Sequence, residues 1–98
     1  MAKCLILEFQ GVGRSQYDDV TAKLGIDATA GTGDWPAGMI SHAGGVADDG
    51  TFFVTEIWES EDAHHAFMGA RLGAVLGEAG MPPPSKRTWV DLFAHHTP

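Results

Sequence analysis

Residues 39–60, MISHAGGVADDGTFFVTEIWES, carry the strongest structural signal in the chain. Two apolar runs, Met39 to Val46 and Thr51 to Trp58, flank the tetrapeptide ADDG. An Asp-Gly dipeptide between two such runs is typical of a β-hairpin, because glycine adopts the positive φ that a tight turn needs. The segment therefore predicts two antiparallel strands. Ser60 follows them directly, where the N-cap of a helix belongs.

The flanking sequence supplies the remaining elements. Apolar residues at helical spacing predict a single helix from Ser60 to about Gly77–Gly80, with acidic residues in its first turn. Strands are predicted at Lys3–Phe9 and Lys86–Ala94, a first helix at Gln16–Leu24 with Ser15 as N-cap, and an irregular connection at Ile26–Gly38. The order β-α-β-β-α-β predicts an α+β fold, the ferredoxin-like split βαβ sandwich.

Length and composition limit the classes of protein that fit. The 98 residues suffice for a single domain, predicted to span 1–98. A net charge of -7 with only 6 lysines and arginines disfavours a nucleic-acid partner. The single cysteine, Cys4, cannot form an internal disulfide, no stretch has the pattern of a secretory signal, and none approaches the roughly 20 apolar residues of a membrane span. We expect a cytoplasmic location and no membrane partner.

Three of the four predicted strands are apolar on both faces, although the two helices cover only one face of the sheet. The second face therefore needs another cover. A twofold dimer that packs two sheets face to face buries the same patch twice. We expect a homodimer, the dimeric α+β barrel.

Two histidines are candidates for chemistry. His42 lies within an apolar strand, where an imidazole needs either a hydrogen-bond partner or a cavity. His64 lies early in the second helix, at the margin of its apolar stripe. A neutral imidazole is suited to proton transfer at physiological pH. Each histidine also has a structural interpretation, since His42 could be a satisfied strand residue and His64 a solvated helix residue.

Motifs for metals and nucleotides are missing. His64 and His65 are adjacent on a helix and point about 100° apart, so they cannot hold one metal ion together. The pair Gly11 and Gly13 lacks the third glycine of a dinucleotide fingerprint, and the chain contains no P-loop, no Cys-x-x-Cys and no Gly-x-Ser-x-Gly. We therefore expect neither a metal nor an organic cofactor.

Three motifs resemble the antibiotic-biosynthesis monooxygenase family. Residues 58–64, WESEDAH, are similar to the Trp-Glu-Ser-Glu segment that closes the third strand in that family. The HAG motif at 42–44 and the GMPPP motif at 80–84 are also similar. Together with the order of elements, these motifs identify the fold more specifically than the reaction.

The resemblance implies a function. Quinone-forming members of the family oxidise phenolic substrates with molecular oxygen and use no metal or flavin. The resemblance implies Trp58 as the pocket tryptophan, His42 as the strand-two histidine, His64 in place of an aromatic hydroxyl residue, and Arg71 as a helix arginine. Val54 stands where the family has an asparagine, so it cannot donate a hydrogen bond to an enolate.

Haem degradation, the activity of other relatives, is disfavoured, because Phe67 and Gly77 occupy the positions of the haem-site tryptophan and histidine. The leading hypothesis is cofactor-independent oxygenation of a phenolic or aromatic molecule in polyketide-like metabolism. An oxygen-independent lyase, isomerase or cyclase, and a non-catalytic dimer that binds a small apolar molecule, are the alternatives. His42 or His64 is the predicted base. The predicted substrate-binding residues are Trp35, Val54, Trp58, Phe67, Arg71 and Trp89.

Overall fold

The computed structural model describes residues 2–96. Along the chain its elements are β1 (Lys3–Phe9), α1 (Arg14–Lys23), β2 (Ile26–Asp27), β3 (Thr32–Gly33), β4 (Met39–Val46), β5 (Phe52–Trp58), α2 (Glu61–Phe67), a π-helical turn (Met68–Leu72), α3 (Gly73–Ala79) and β6 (Lys86–Asp91). Four strands form one antiparallel sheet in the order β4-β5-β1-β6, and β2 pairs only with β3. This is the ferredoxin-like α+β order that the sequence predicts.

The predicted hairpin is present, with Gly50 at a φ of 89° in its turn. The Asp49 carboxylate accepts a hydrogen bond from the backbone N–H of Thr51 at 2.9 Å. The register of β4 against β5 is interrupted between Met39 and Ser41 by a bulge. An extra residue there shifts the pairing along the strand, so the bulge decides which side chains of the two strands face each other.

The predicted N-cap of the first helix is wrong. The helix begins at Arg14 with Gly13 as its N-cap, because the Gln16 side chain accepts a hydrogen bond from the backbone N–H of Gly13 at 3.0 Å. Ser15 instead lies inside the helix, and its hydroxyl donates to Gln16 Oε1 at 3.2 Å. The second N-cap is confirmed, since Ser60 Oγ accepts from the backbone N–H of Ala63 at 3.2 Å.

The second helical region is not the single helix that its spacing predicts. It is interrupted by the π-helical turn, in which the backbone N–H of Gly73 bonds to the carbonyl of Met68. Helical structure then continues to Ala79, and Gly80 ends it with a φ of 65°. Single π-helical turns widen a helix locally and are frequent beside functional sites.

The last strand ends three residues earlier than predicted. Asp91 pairs with Lys3, the first residue of β1, so the neighbouring strand offers no further partner beyond that point. Leu92 still donates its backbone N–H to the carbonyl of Ala2, whereas the side chain of Phe93 is fully exposed.

The helices cover one face of the sheet and form the core with it. One cluster of buried core residues contains Leu5, Val20, Leu24, Ile26, Trp58 and Phe67, and a second contains Phe9, Val12, Phe52 and Val54. The cross-strand pairs place the other set of side chains on the opposite face, which no element of the described chain covers. Its apolar members include Ile6, Phe53, Ile57 and Val90, none of which is buried.

Candidate functional site

A cavity of about 340 Å³ lies between the sheet and its helices. This volume is within the range of small-molecule sites. Apolar side chains form most of the wall, namely Leu7, Phe9, Val20, Leu24, Ile26, Trp35, Met39, Val54, Phe67, Met68, Leu72, Leu76, Met81 and Pro82–Pro84. The polar side chains at the wall are Tyr17, Thr21, His42, Glu56, His64 and Arg87.

Three of those polar side chains are joined in one hydrogen-bonded chain. Tyr17 of α1 brings its hydroxyl to 2.5 Å from Nε2 of His42 in β4. The other ring nitrogen of His42, Nδ1, lies 2.9 Å from Oε2 of Glu56, its cross-strand partner in β5. Glu56 Oε1 accepts a hydrogen bond from the indole N–H of Trp58 at 3.1 Å. The chain therefore runs from the cavity wall into the core.

Burial makes these hydrogen bonds important. The side chains of His42 and Glu56 are only 12% and 9% exposed. A buried carboxylate is costly unless donors surround it, and here an imidazole and an indole each serve one oxygen. The tautomer that satisfies the chain has its proton on Nδ1 of His42, leaving Nε2 to accept from Tyr17. Glu56 thus fixes the orientation of the His42 ring.

The Tyr17 hydroxyl remains protonated at physiological pH. Burial, and then the negative charge of Glu56, raise the pKa of this phenol above its ordinary value. The Tyr17 ring also lies nearly parallel to the imidazole of His42, with 5.8 Å between ring centroids. The hydroxyl is therefore a hydrogen-bond donor held at a fixed place on the cavity wall.

His64 is the second histidine at the cavity, and it has a different environment. Its residue is 7% exposed, and its ring meets Trp58 and Trp89 edge-on at centroid distances of 5.3 Å each. Burial is the main reason that its pKa is lowered. Its Nδ1 has no hydrogen-bond partner within residues 2–96. His64 is thus a neutral imidazole with an unused polar atom.

Five of the predicted site residues line the cavity: Trp35, His42, Val54, His64 and Phe67. The fold therefore brings the two predicted histidines, His42 and His64, to the wall of the same cavity. Trp35 comes from the irregular connection and packs against His42 with 5.3 Å between ring centroids. The connection thus contributes to the wall.

Three predicted binding residues do not reach the wall. Trp58 is completely buried and lies behind the wall, where its indole N–H bonds to Glu56 and its ring packs against His64 and Phe67. Trp89 packs against the ring of His64 instead. Trp58 and Trp89 therefore lie outside the cavity wall in the described structure.

Arg71 also lies outside the cavity wall. Its guanidinium donates to the backbone carbonyls of Leu24 and Asp34, both at 2.8 Å, and pairs with the Asp34 carboxylate at 3.2 Å. These bonds direct it to the connection after α1 and away from the cavity. The arginine that does line the cavity is Arg87 of β6.

Tyr17 and Glu56 are the site residues that sequence reasoning missed. Glu56 shares its strand parity with Phe52, Val54 and Trp58, and a carboxylate on that buried face was the available signal. The sequence around Tyr17 does not distinguish it from a core residue, since aromatic side chains on helices commonly pack in the core.

The structure offers no site for a metal ion between residues 2 and 96, where no group of three His, Cys, Asp or Glu side chains has the required geometry. No helix in this range is long and apolar enough to cross a bilayer.

Comparison with known proteins gives similarity in structure and not in sequence. No protein-family model matches the chain, and no curated protein matches it. A candidate antibiotic biosynthesis monooxygenase from Chloroflexus aurantiacus J-10-fl superposes with a TM-score of 0.68 at 14% identity, covering 99% of this chain and 98% of that one.

Two further solved structures are similar over nearly their whole length. Rv0793 from Mycobacterium tuberculosis gives a TM-score of 0.68 at 15% identity, covering 99% of this chain and all of that one. NE2512, a protein of unknown function from Nitrosomonas europaea, gives 0.61 at 20% identity, covering 99% and 92%. At these identities the comparison establishes the fold alone. The chain has the same ferredoxin-like fold as the candidate antibiotic biosynthesis monooxygenase from Chloroflexus, which is the fold that its sequence motifs predict.

Proposed function

We propose that this protein is an enzyme that removes a proton from a small aromatic molecule, with cofactor-independent oxygenation of a phenol as the leading reaction. The observation that carries the proposal is the His42–Glu56 pair at the wall of a mostly apolar cavity. An apolar cavity with a few converging polar groups is the usual form of a small-molecule site. A histidine oriented by a buried carboxylate is a usual form of general base.

Of the two predicted bases, His42 is better supported than His64. Proton uptake gives His42 a positive charge beside the Glu56 carboxylate, whereas His64 has no carboxylate within bonding distance in the described structure. The lowered pKa of His64 also opposes its protonation. We therefore assign proton acceptance to His42 and a neutral hydrogen-bonding role to His64.

Removal of the phenolic proton makes the aromatic ring electron-rich, so that it can transfer electrons to oxygen. One molecule of oxygen then converts a phenol to a quinone and water, which balances atoms and electrons without an added reductant. The similarity to the candidate monooxygenase from Chloroflexus favours this reaction over the alternatives. Val54 supplies no donor to the developing anion, and Arg87 is the positively charged side chain at the wall.

An oxygen-independent lyase, isomerase or cyclase is the second candidate, because the same base can start each of these reactions without oxygen. Its supporting observation is Val54, which replaces the strand-three asparagine of the quinone-forming relatives. A homodimer in the cytoplasm is part of the proposal, since the uncovered sheet face offers an apolar surface for a second copy.

The decisive experiment incubates the purified protein with phenolic and anthrone-type compounds, in air and under nitrogen, and follows absorbance and product mass. Turnover that needs oxygen supports the leading reaction, and equal turnover under nitrogen supports the second candidate. His42→Ala should lower turnover by roughly 10²–10⁴-fold, whereas His65→Ala, at an exposed neighbour of His64, should leave it unchanged. Binding without any turnover would contradict an enzymatic function.

A further inference from the structure

We propose that Tyr17 is the residue that exchanges the proton with the bound molecule, and that His42 and Glu56 are the proton acceptor behind it. This inference rests on the proposed function and changes its contact residue. Sequence reasoning placed a histidine in direct contact with the substrate, and none of the motifs in the chain pointed to Tyr17.

Neither ring nitrogen of His42 is free to bond to a ligand. Nε2 is bonded to the Tyr17 hydroxyl at 2.5 Å, and Nδ1 is bonded to Glu56 at 2.9 Å. A molecule in the cavity can contact the imidazole ring, but it cannot hydrogen-bond to it without displacing Tyr17. The Tyr17 oxygen donates its single hydrogen to His42 and keeps acceptor capacity for a ligand.

The hydrogen-bonded chain from Tyr17 through His42 to Glu56 can accept a proton from a ligand while Tyr17 stays neutral. A ligand O–H bond breaks as its proton passes to the Tyr17 oxygen, and the original Tyr17 proton moves to Nε2 of His42. The products are the ligand anion, a neutral tyrosine, and an imidazolium beside the Glu56 carboxylate. The raised pKa of Tyr17 does not oppose this transfer, because no phenolate forms.

Glu56 is already placed to stabilise a positively charged His42 ring. Its Oε2 faces the histidine that becomes positive, and the indole of Trp58 holds Oε1. Little rearrangement is therefore needed when the ion pair forms. Glu56 is a positioning residue in this scheme, and Trp58 serves it from the core.

The Tyr17 ring packs against β4 at Gly44, where the strand has no side chain. A Cβ placed on Gly44 would lie 3.3 Å from both Cε1 and Cζ of Tyr17 and 3.5 Å from its hydroxyl oxygen. These contacts are tight, so an alanine at this position would push the phenol by a few tenths of an ångström. Gly45, its neighbour, has no atom within 4 Å of such a Cβ.

A binding experiment tests the contact without turnover. Calorimetric titrations of the wild-type protein and Tyr17→Phe with naphthol and with naphthalene measure the preference for a ligand hydroxyl. Tyr17→Phe keeps the ring and its packing, and it should reduce the preference for naphthol by roughly two- to tenfold, the range of one neutral hydrogen bond. An unchanged preference in a folded variant would overturn the inference, whatever the turnover assays show.

Kinetics test the proton transfer itself. On any phenol that the wild-type protein converts, Tyr17→Phe should lower kcat by roughly 10²–10⁴-fold with little change in KM. Gly44→Ala should lower kcat in the same direction, and Gly45→Ala should not. Full activity of Tyr17→Phe alongside an inactive His42→Ala would show that His42 contacts the substrate directly, which would overturn the inference.

The two proposals can fail separately. Absence of turnover on every phenol contradicts the proposed enzyme, while the naphthol preference still measures the Tyr17 contact. Turnover that does not depend on Tyr17 supports the proposed enzymatic function and contradicts proton transfer through Tyr17 to His42. Circular dichroism and thermal unfolding of each variant identify loss of fold, in which case Gly44→Ala, with its Gly45→Ala control, supplies the decisive kinetic comparison.

Discussion

At the scale of single residues, His64 connects the site to stability. Its pKa is lowered chiefly by burial and also by the positive charges of His65 and Arg87, while Glu56 and Glu61 act in the opposite direction. The unfolded chain therefore binds a proton at a higher pH than the folded chain does. The contribution of His64 to the free energy of unfolding is fully present above the pKa of an unfolded histidine, about 6.5. This contribution is lost as the pH falls below that value.

We predict that His64→Leu removes this pH dependence. Urea unfolding of the wild-type protein between mildly acidic and neutral pH should show a slope of up to about 1.4 kcal/mol per pH unit more than the variant. His65→Leu, at the exposed neighbour, is the matched control and should keep most of the wild-type slope, because burial and not the His65 charge is the main cause of the lowered pKa of His64. A parallel pH dependence in His64→Leu and in the wild-type protein would show that other groups cause the acid sensitivity.

At the scale of elements, the π-helical turn joins the helical layer to the connection after α1. Arg71 lies in this turn and bonds to Leu24 and Asp34 on either side of the β2–β3 ribbon. Trp35, the next residue after Asp34, lines the cavity. The turn therefore holds part of the cavity wall in place, although Arg71 itself does not touch the cavity.

We predict that Arg71→Leu destabilises the protein by about 1–3 kcal/mol, because it leaves two carbonyls without their charged donor. It should also speed amide hydrogen exchange at residues 26–35 before global unfolding occurs. The control is Lys23→Met, which removes only an exposed ion pair with Asp19 at 3.9 Å and should cost less than about 1 kcal/mol. Amide exchange rates in Arg71→Leu equal to those of the wild-type protein would show that Arg71 does not hold residues 26–35 in place.

At the scale of the whole molecule, the sheet has one face that the described chain leaves open. Ile6 and Ile57 on the central strands and Phe53 beside the hairpin turn give this face its apolar character. A folded domain is stable by only roughly 0.05–0.15 kcal/mol per residue, so a chain of 98 residues has little stability to spare. Burial of this face against a second copy would add to that stability.

We predict that the wild-type protein is a dimer at micromolar concentration and that Phe53→Glu makes it monomeric or unfolded, as measured by sedimentation equilibrium and circular dichroism. Phe93→Glu is the control, because Phe93 is fully exposed outside the sheet and should not affect the assembly. A folded wild-type monomer at this concentration would contradict the homodimer.

The fold could be predicted because its signals are local. Asp49 and Gly50 build their turn within four residues, and Ser60 caps the helix three residues before Ala63. The alternation along β5 marks its buried face. Such features depend on backbone geometry and on neighbours in sequence, so the sequence by itself determined the order of the four sheet strands and the two helical regions and the α+β class, but not the short β2–β3 ribbon.

Only the tertiary structure decided the site. The chain from Tyr17 through His42 to Glu56 joins α1, β4 and β5, and it depends on the hairpin register after the bulge and on how α1 packs on the sheet. The same register left Trp58 in the core, and the π-helical turn directed Arg71 to the connection. These outcomes follow from contacts between residues distant in sequence, whose strengths no local pattern records.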